Sequence, residues 1–157
     1  MDARVGTRED PIQKAKGIVV HPDGLLLLRR VIKNEAGKEI QYYVLPGGAR
    51  EMGETIEQCM KREILEETGV RVRIEKEFAR LKFEAKEEIY FVCKYIDGQV
   101  GSGEGPEFST DWIEKRGLYI AEVVPVKKLA EIDLKPYSIK QKLVQSFMAQ
   151  GESSLFS

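Results

Sequence analysis

The 157-residue chain is 42% hydrophobic and 32% charged, which excludes a disordered protein and suits one domain with a hydrophobic core. Its 25 Lys and Arg residues nearly balance 26 Asp and Glu residues, so the net charge of −1 excludes a globally basic surface for nucleic acid or membranes. Neither a membrane-spanning stretch nor the apolar core of a secretory signal is present in the sequence. We therefore expect a single domain over residues 1–157, with residues 1–12 as a loose leader, in the cytoplasm.

The predicted elements alternate between strands and helices. Lys14–His21 is rich in β-branched residues and predicts a strand, and the turn at Pro22-Asp23-Gly24 predicts a hairpin with Leu25–Val31. A glycine-rich loop is predicted over residues 97–117, and loops of this length are typically functional or mobile. Further strands are predicted over residues 40–45, 71–85, 87–95 and 118–124, and helices over Ile56–Thr68, Pro125–Ile132 and Tyr137–Gln150.

The cysteines and the histidine do not indicate a metal site or a disulfide. Cys59 and Cys93 are widely spaced and fall inside predicted regular structure, which favours two buried free thiols. His21 directly precedes the predicted turn, and the sequence holds no second His to share a metal. We expect His21 to be an ordinary turn-flanking residue.

The helix predicted over Ile56–Thr68 carries acids on its apolar side. Thr55 and Gln58 form a capping-box pattern, and Gly69 stands at the C-cap position. With about 100° per residue, Glu63 and Glu67 fall inside the apolar sector, and Glu66 falls on its rim. The residues that define this sector are Ile56, Cys59, Met60 and Ile64.

A solvated charged face is the ordinary alternative for a Glu-rich helix, but the angular positions argue against it here. Carboxylates near the C-terminus of a helix repel one another and meet a negative dipole, and their burial is costly unless they are neutralised. A hard divalent cation, Mg²⁺ or Mn²⁺, removes that cost because it prefers carboxylate oxygens. The glycines of "LPGG", ahead of the helix, either offer backbone groups to a metal or phosphate or form a tight turn.

The segment from Gly48 to Val70 resembles the Nudix box. That pattern is Gly, five residues, Glu, seven residues, Arg-Glu, an aliphatic residue, any residue, Glu-Glu, any residue, Gly and an aliphatic residue. The resemblance implies an α/β fold, a Nudix-type α/β/α sandwich around a mixed β-sheet. The matching residues are Gly48, Glu54, Arg62, Glu63, Ile64, Glu66, Glu67, Gly69 and Val70.

The same resemblance implies a reaction and a cofactor. The reaction is Mg²⁺-dependent hydrolysis of the pyrophosphate bond of a nucleoside diphosphate linked to another moiety, with Mn²⁺ as a possible substitute. By that resemblance Glu63, Glu66 and Glu67 would hold the metal together with the Gly47 carbonyl. Arg62 would orient the carboxylates, and Gly48 and Glu54 would support them.

The general base is less well defined by the sequence. Glu63 is the first candidate, and the second is an acid of the long loop, Glu107 ahead of Glu104, because family members often bring a further Glu to the metals from that region. For either loop acid taken singly, plain solvent exposure is the simpler expectation.

The substrate is not determined by the sequence. The family's marker positions for substrate preference fall at Ala85–Glu88, where neither a Pro nor a Tyr is present. Arg50 and Lys82 could contact phosphates, and Tyr43, like Tyr42, Phe83 or Trp112, could stack on a base; surface charges and core aromatic rings are the alternatives. The expected partner is a small-molecule nucleotide, with no membrane and with nucleic acid disfavoured, and the protein would be a monomer or homodimer. The alternative function is a non-catalytic nucleotide-sensing or regulatory module, although no box Glu is missing.

Overall fold

The computed structural model describes residues 12–150, and their side chains as far as Met148. The leader predicted over residues 1–12 therefore lies outside the described residues, except for Ile12, which begins the first strand. Within residues 12–150, no helix has the length and apolar character needed to cross a membrane.

Eight strands of the described chain form one mixed sheet. Along the main path the strand order is β5-β6-β1-β2-β3-β8, with β4 paired to β1 and β7 paired to β2. The pairs β1–β6 and β3–β8 are parallel and the others are antiparallel. The strands are β1 Ile12–His21, β2 Gly24–Lys33, β3 Glu39–Val44, β4 Gly47–Ala49, β5 Arg71–Lys82, β6 Lys86–Asp97, β7 Leu118–Val124 and β8 Leu134–Lys135.

The sheet divides into two arms between β1 and β2. These strands pair only near their hairpin, where Val19–His21 faces Gly24–Leu26. Further from the hairpin, Lys14 to Lys16 of β1 pair instead with β4, while β2 pairs with β3 and β7. The short strand β4 therefore lies at the edge of the split, directly ahead of the first helix.

Helices cover both faces of the sheet. The helices are α1 Ile56–Thr68, α2 Thr110–Arg116 and α3 Tyr137–Gln150, with 3₁₀ segments at Pro106–Phe108 and Val126–Glu131. Cys59, Met60 and Ile64 of α1 pack with one buried cluster, and α3 packs with another through Ile139 and Leu143. Leu25 to Leu28 are at most 1% exposed because successive side chains of β2 point to opposite, covered faces. This arrangement confirms the predicted α/β sandwich with a mixed sheet.

One prediction about an irregular segment was wrong. Residues 97–117 are not a loop throughout, because Ser109 caps α2 by accepting a hydrogen bond from the Trp112 N–H at 3.2 Å, after a 3₁₀ turn that starts at Pro106. Gly47 and Gly48, for which the sequence left either backbone ligands or a tight turn, follow the end of β3 and form the short strand β4. At Gly47, with φ +145°, a Cβ would stand 2.0 Å from the Ala15 carbonyl oxygen, so only glycine permits this pairing.

The expectations for the cysteines and His21 are confirmed. Cys59 and Cys93 are buried free thiols, and burial raises their pKa values to about 11 and about 12 respectively. The His21 Nδ1 accepts a hydrogen bond from the Asp23 N–H at 3.1 Å within the predicted turn.

Candidate active site

Three carboxylates converge beside β4. Glu63 and Glu67 come from α1 and Glu107 comes from the 3₁₀ turn, and one oxygen of each lies within 4.8 Å of the others. Glu67 and Glu107 are 4% and 7% exposed, and 14% of the Glu63 side chain is exposed. We call these three residues the acidic cluster.

Glu67 is fixed by the backbone of β4. Its Oε1 accepts a hydrogen bond from the Gly47 N–H at 2.7 Å. Burial raises the pKa of Glu67 to about 8, against the opposing effects of that N–H and of the positive charge of Lys16. Burial therefore disfavours the charged form of this carboxyl, and a bound cation would offset that cost.

Glu63 fits against a glycine. A Cβ at Gly48 would stand 2.6 Å from the Glu63 Cδ, so the absence of a side chain at Gly48 makes room for the carboxylate. Burial also raises the pKa of Glu63, and Arg62 opposes that shift. Gly48 thus supports the site by leaving room for the Glu63 carboxylate, not by a polar contact with it.

Arg62 connects the cluster to its surroundings. Its guanidinium donates to both oxygens of Glu54, at 2.7 and 2.9 Å, and to Glu63 Oε1 at 3.1 Å. The Arg62 hydrogen bonds hold the pKa of Glu54 near 2, and Glu54 in turn raises the pKa of Arg62. Glu66 lies 3.4 Å from the same guanidinium with 36% of its side chain exposed, and it stands outside the cluster, on the rim where the helical angles put it.

The structure distinguishes between the two loop acids. Glu104 is exposed, whereas Glu107 is buried, so the expectation of solvent exposure was wrong for Glu107. The Glu107 Oε1 is buried and has no hydrogen-bond partner among residues 12–150. Such an atom is rare because an unsatisfied buried acceptor costs about 1–3 kcal/mol.

The acidic cluster fits a divalent metal. All its donors are carboxylate oxygens, which Mg²⁺ and Mn²⁺ prefer over softer ligands. A cation among them would replace the proton on Glu67 and satisfy the unpaired oxygen of Glu107. Nitrogen and sulfur ligands are not part of the cluster, which argues against a zinc-type site.

The three proposed substrate contacts lie elsewhere. Arg50 donates to Gln13 Oε1 at 2.9 Å and to the Glu54 carbonyl at 3.0 Å, and Lys82 is exposed at the end of β5. The Tyr43 hydroxyl donates to Glu122 Oε1 at 3.1 Å on the α3 side of the sheet. A cleft of about 680 Å³ is lined by Phe147 and other apolar residues, and no member of the acidic cluster lines it.

The sequence did not single out Lys16, Arg30 or Tyr119, which lie near the site. The negative charges of Glu67 and Glu63 act on the Lys16 ammonium, and those of Glu67 and Glu107 act on the Tyr119 hydroxyl. Arg30 stacks on the Tyr119 ring with its Cζ 3.7 Å from the ring centre. For Lys16, the only local pattern that could have indicated a functional position was the alternation of lysines in "KAKG". The exposed face of an ordinary strand produces the same alternation.

Comparisons with known proteins identify the family of the chain. The family model described as the NUDIX domain matches residues 11–138. A protein named 8-oxo-dGTP diphosphatase from Haemophilus influenzae is 31% identical over 120 residues, which cover 73% of this chain and 84% of that protein.

Solved structures share the fold. A MutT structure, from work on Aliivibrio salmonicida and Vibrio cholerae, superposes with a TM-score of 0.64 at 20% identity and covers 87% of this chain and 98% of its own. An ADP-ribose pyrophosphatase from Streptococcus suis gives a TM-score of 0.60 at 14% identity, over 90% and 94% of the two chains. The family model matched over residues 11–138 and the 31% identical relative show that the chain belongs to the Nudix family of hydrolases.

Proposed function

We propose that this Nudix hydrolase uses Mg²⁺ to hydrolyse the pyrophosphate bond of a small nucleotide, a nucleoside diphosphate linked to another moiety. The observation that carries the proposal is the buried acidic cluster, in which burial raises the pKa of Glu67 and one oxygen of Glu107 has no hydrogen-bond partner within the described residues. In a protein that only needed to fold, these carboxylates would be a net cost.

The carboxylates of the acidic cluster would hold the cation, with Glu66 and the Gly47 carbonyl as further proposed ligands. When bound, Mg²⁺ neutralises phosphate oxygens and lowers the pKa of water. The Gly47 N–H keeps Oε1 of Glu67 in place. Arg62, anchored on Glu54 by two hydrogen bonds, positions Glu63.

The hydrolysis itself requires a base and a leaving group. The oxygen of water forms a bond to one phosphorus, the bridging P–O bond breaks, and the departing phosphate takes the electron pair. The proton of the water passes to Glu63, our first candidate, or to Glu107. Glu63 has one oxygen engaged by Arg62 at 3.1 Å, whereas the Oε1 of Glu107 has no partner within the described chain.

The similarity to an 8-oxo-dGTP diphosphatase supports a nucleoside triphosphate as the first substrate class to examine. Arg50, Lys82 and Tyr43 remain proposed substrate contacts. Arg50 is the best supported of these, because its guanidinium is fixed against Gln13 and the Glu54 backbone and projects from the same segment as Gly48.

We would test the function with purified protein, Mg²⁺ and a panel of nucleoside triphosphates, oxidised guanine triphosphates, dinucleotides, nucleotide sugars and ADP-ribose. Chromatography of the products identifies the bond that is cut. We expect a nucleoside monophosphate together with pyrophosphate or a phosphorylated leaving group. If none of the panel is cleaved but nucleotides still bind, the alternative of a non-catalytic sensing module is supported instead.

Matched variants test the cluster. Glu67→Gln and Glu107→Gln should each lower kcat by about 100-fold or more, since each removes a charge from the cluster. Glu104→Gln makes the same change three residues from Glu107 at an exposed position and should keep wild-type activity. Equal activity in all three variants would count against the proposed site.

A further inference from the structure

A second feature of the molecule lies next to the acidic cluster, where the sheet divides. A cleft of about 310 Å³ opens there, which is within the range of small-molecule sites, roughly 300–1,000 Å³. Its lining joins the two arms of the sheet and the start of α3, and it includes Lys16, Leu45, Phe83, Glu88, Tyr90 and Pro136.

The cleft adjoins the acidic cluster through β4. Lys16 pairs with Gly47 in the β1–β4 register, and the Gly47 N–H donates to Glu67. The charges of Glu67 and Glu63 also act on the Lys16 ammonium. No residue of the acidic cluster lines the cleft, and the two sites meet at β4, where a nucleotide with its phosphates at the cluster could place its next group in the cleft.

The charged groups of the cleft differ in their partners. Glu88 accepts a hydrogen bond from the Tyr90 hydroxyl at 2.8 Å and pairs with Lys86 at 3.2 Å. Although burial opposes it, these contacts hold the pKa of Glu88 below its usual range. Lys16, in contrast, has no side-chain hydrogen bond or ion pair within the part of the chain that the structure describes.

An unpaired ammonium in a partly buried position is unusual because lysine normally extends its charge into water. Burial lowers the pKa of Lys16, and the Glu67 carboxylate opposes that effect without touching the ammonium. The position thus costs stability and leaves three N–H donors unused. Such a donor in a cleft suits an oxygen acceptor of a bound molecule.

The walls of the cleft suit a flat ring. Leu45, Phe83 and Pro136 supply apolar surface, and Phe83 is 51% exposed at the mouth. Across the sheet, Lys16 and Tyr90 are paired neighbours on β1 and β6, and Glu88 lies two residues before Tyr90 on the same face. A donor and a carboxylate acceptor are therefore held side by side above an apolar surface.

We propose that Lys16 determines base specificity by donating to the keto oxygen of the substrate's nucleobase, while Glu88 accepts a hydrogen bond from the adjacent ring N–H. A carboxylate that already accepts from Tyr90 and Lys86 still has lone pairs for a further donor. Guanine, hypoxanthine, uracil and thymine carry this keto and N–H pair. Adenine and cytosine instead present an amino group beside an unprotonated ring nitrogen. The inference rests on the proposed function, because it describes the same site.

The sharpest test compares inosine triphosphate with ATP, which differ only in the keto and N–H pair against the amino group and bare nitrogen. We expect the wild-type protein to favour inosine triphosphate in kcat/KM by about tenfold or more. Lys16→Met should bring the two substrates to within about threefold, mainly by raising KM for inosine triphosphate, because the base contact is equally present before and during the reaction.

Two further variants extend this comparison, one as a control and one as a second test. Lys14→Met removes the neighbouring lysine of the same strand face, which does not line the cleft, and should leave the preference unchanged. Glu88→Gln changes the group that accepts the hydrogen bond of the ring N–H, and it should also reduce the preference for inosine triphosphate over ATP. If Lys16→Met lowers kcat/KM for both substrates by the same factor, Lys16 contacts the phosphates that they share, and the inference is overturned. The inference is also overturned if the ratio of kcat/KM for inosine triphosphate to that for ATP is the same in Lys16→Met as in the wild type.

Equilibrium binding separates this inference from the proposed function. Calorimetry without metal measures the affinities of inosine monophosphate and AMP for the wild type and Lys16→Met. Tighter binding of inosine monophosphate that depends on Lys16, without hydrolysis of any triphosphate, would support the inference and overturn the proposed function. Hydrolysis with a base preference that does not depend on Lys16 would support the proposed function and overturn the inference. Circular dichroism would verify that each variant is folded.

Discussion

At the scale of single residues, the buried carboxyl of Glu67 binds a proton more tightly in the folded protein than in the unfolded chain. Burial raises the pKa of its carboxyl to about 8, from the ordinary glutamate value of 4.5. Between these pH values the folded chain keeps a proton that the unfolded chain has released. By linkage, stability is therefore greatest at the acidic end of the window and falls as the pH rises through it. Burial raises the pKa of Glu63 as well, which acts in the same direction.

We expect the free energy of unfolding of the metal-free protein to fall by about 2–4 kcal/mol between about pH 5 and pH 8. Glu67→Gln is uncharged throughout this range and should lose most of that dependence, leaving the part due to Glu63. Urea unfolding at the two pH values provides the measurement, with the exposed Glu104→Gln as the control. A pH dependence as steep in Glu67→Gln as in the wild type would contradict the assigned pKa.

At the scale of elements, α1 and the segment after β6 hold the cluster together. Within α1, Thr55 and Gln58 form the capping box, with reciprocal hydrogen bonds of 3.0 and 2.9 Å. At its other end the Gly105 N–H donates to the Glu66 carbonyl at 3.0 Å, and the Gly101 N–H donates to the Thr68 carbonyl at 3.0 Å. The glycine-rich segment therefore caps the C-terminus of α1 and brings Glu107 to the helix.

Gly103→Ala tests this contact between elements. A Cβ at Gly103 would stand 2.4 Å from the Glu66 carbonyl oxygen and 2.7 Å from the Glu67 carbonyl carbon, so the segment must move away from α1. We expect a loss of stability of about 1–3 kcal/mol and at least about a tenfold loss of kcat as Glu107 is displaced. Thermal unfolding and steady-state kinetics measure the two effects.

Glu104→Ala is the matched control for Gly103→Ala, because it changes the next residue of the same segment at an exposed position. It should leave both stability and kcat close to the wild type. Full activity of Gly103→Ala at an unchanged melting temperature would mean that the segment does not position Glu107.

At the scale of the whole molecule, the two arms of the sheet and the helices on both faces form a fixed frame around the acidic cluster. Because the cluster exists only in the folded chain, a bound cation should stabilise the fold as a whole. At a concentration about 100 times its dissociation constant, a ligand contributes about 2.7 kcal/mol, which raises Tm by roughly 5–10 °C in a chain of this size.

We therefore expect Mg²⁺ to raise Tm of the wild type by several degrees, and to raise that of Glu67→Gln by much less. Differential scanning calorimetry at constant ionic strength, with KCl in place of MgCl₂ as the reference, measures this difference. If Mg²⁺ stabilised Glu67→Gln as strongly as the wild type, the cation would be binding elsewhere.

The local part of the site could be predicted from the sequence. Capping residues and helical spacing operate over a few neighbouring positions, so the bounds of α1, the inward direction of Glu63 and Glu67 and the rim position of Glu66 followed from the sequence. The same holds for the hairpin at Gly24. These features depend on contacts within about one turn or one strand pair.

Only the tertiary structure decided which distant residues join them. Glu107 lies 40 positions after Glu67, and its burial depends on how the glycine-rich segment packs on α1, which no local pattern encodes. Lys16 occupies a strand position that looks exposed in the sequence, but the division of the sheet at β4 turns it into a wall of the cleft. The sequence by itself thus determined the family, the helix and two of the three cluster carboxylates, and it named Glu107 only as a candidate base, through the family resemblance. The fold decided the third, and with it the surroundings that would distinguish one nucleotide from another, because both depend on long-range packing.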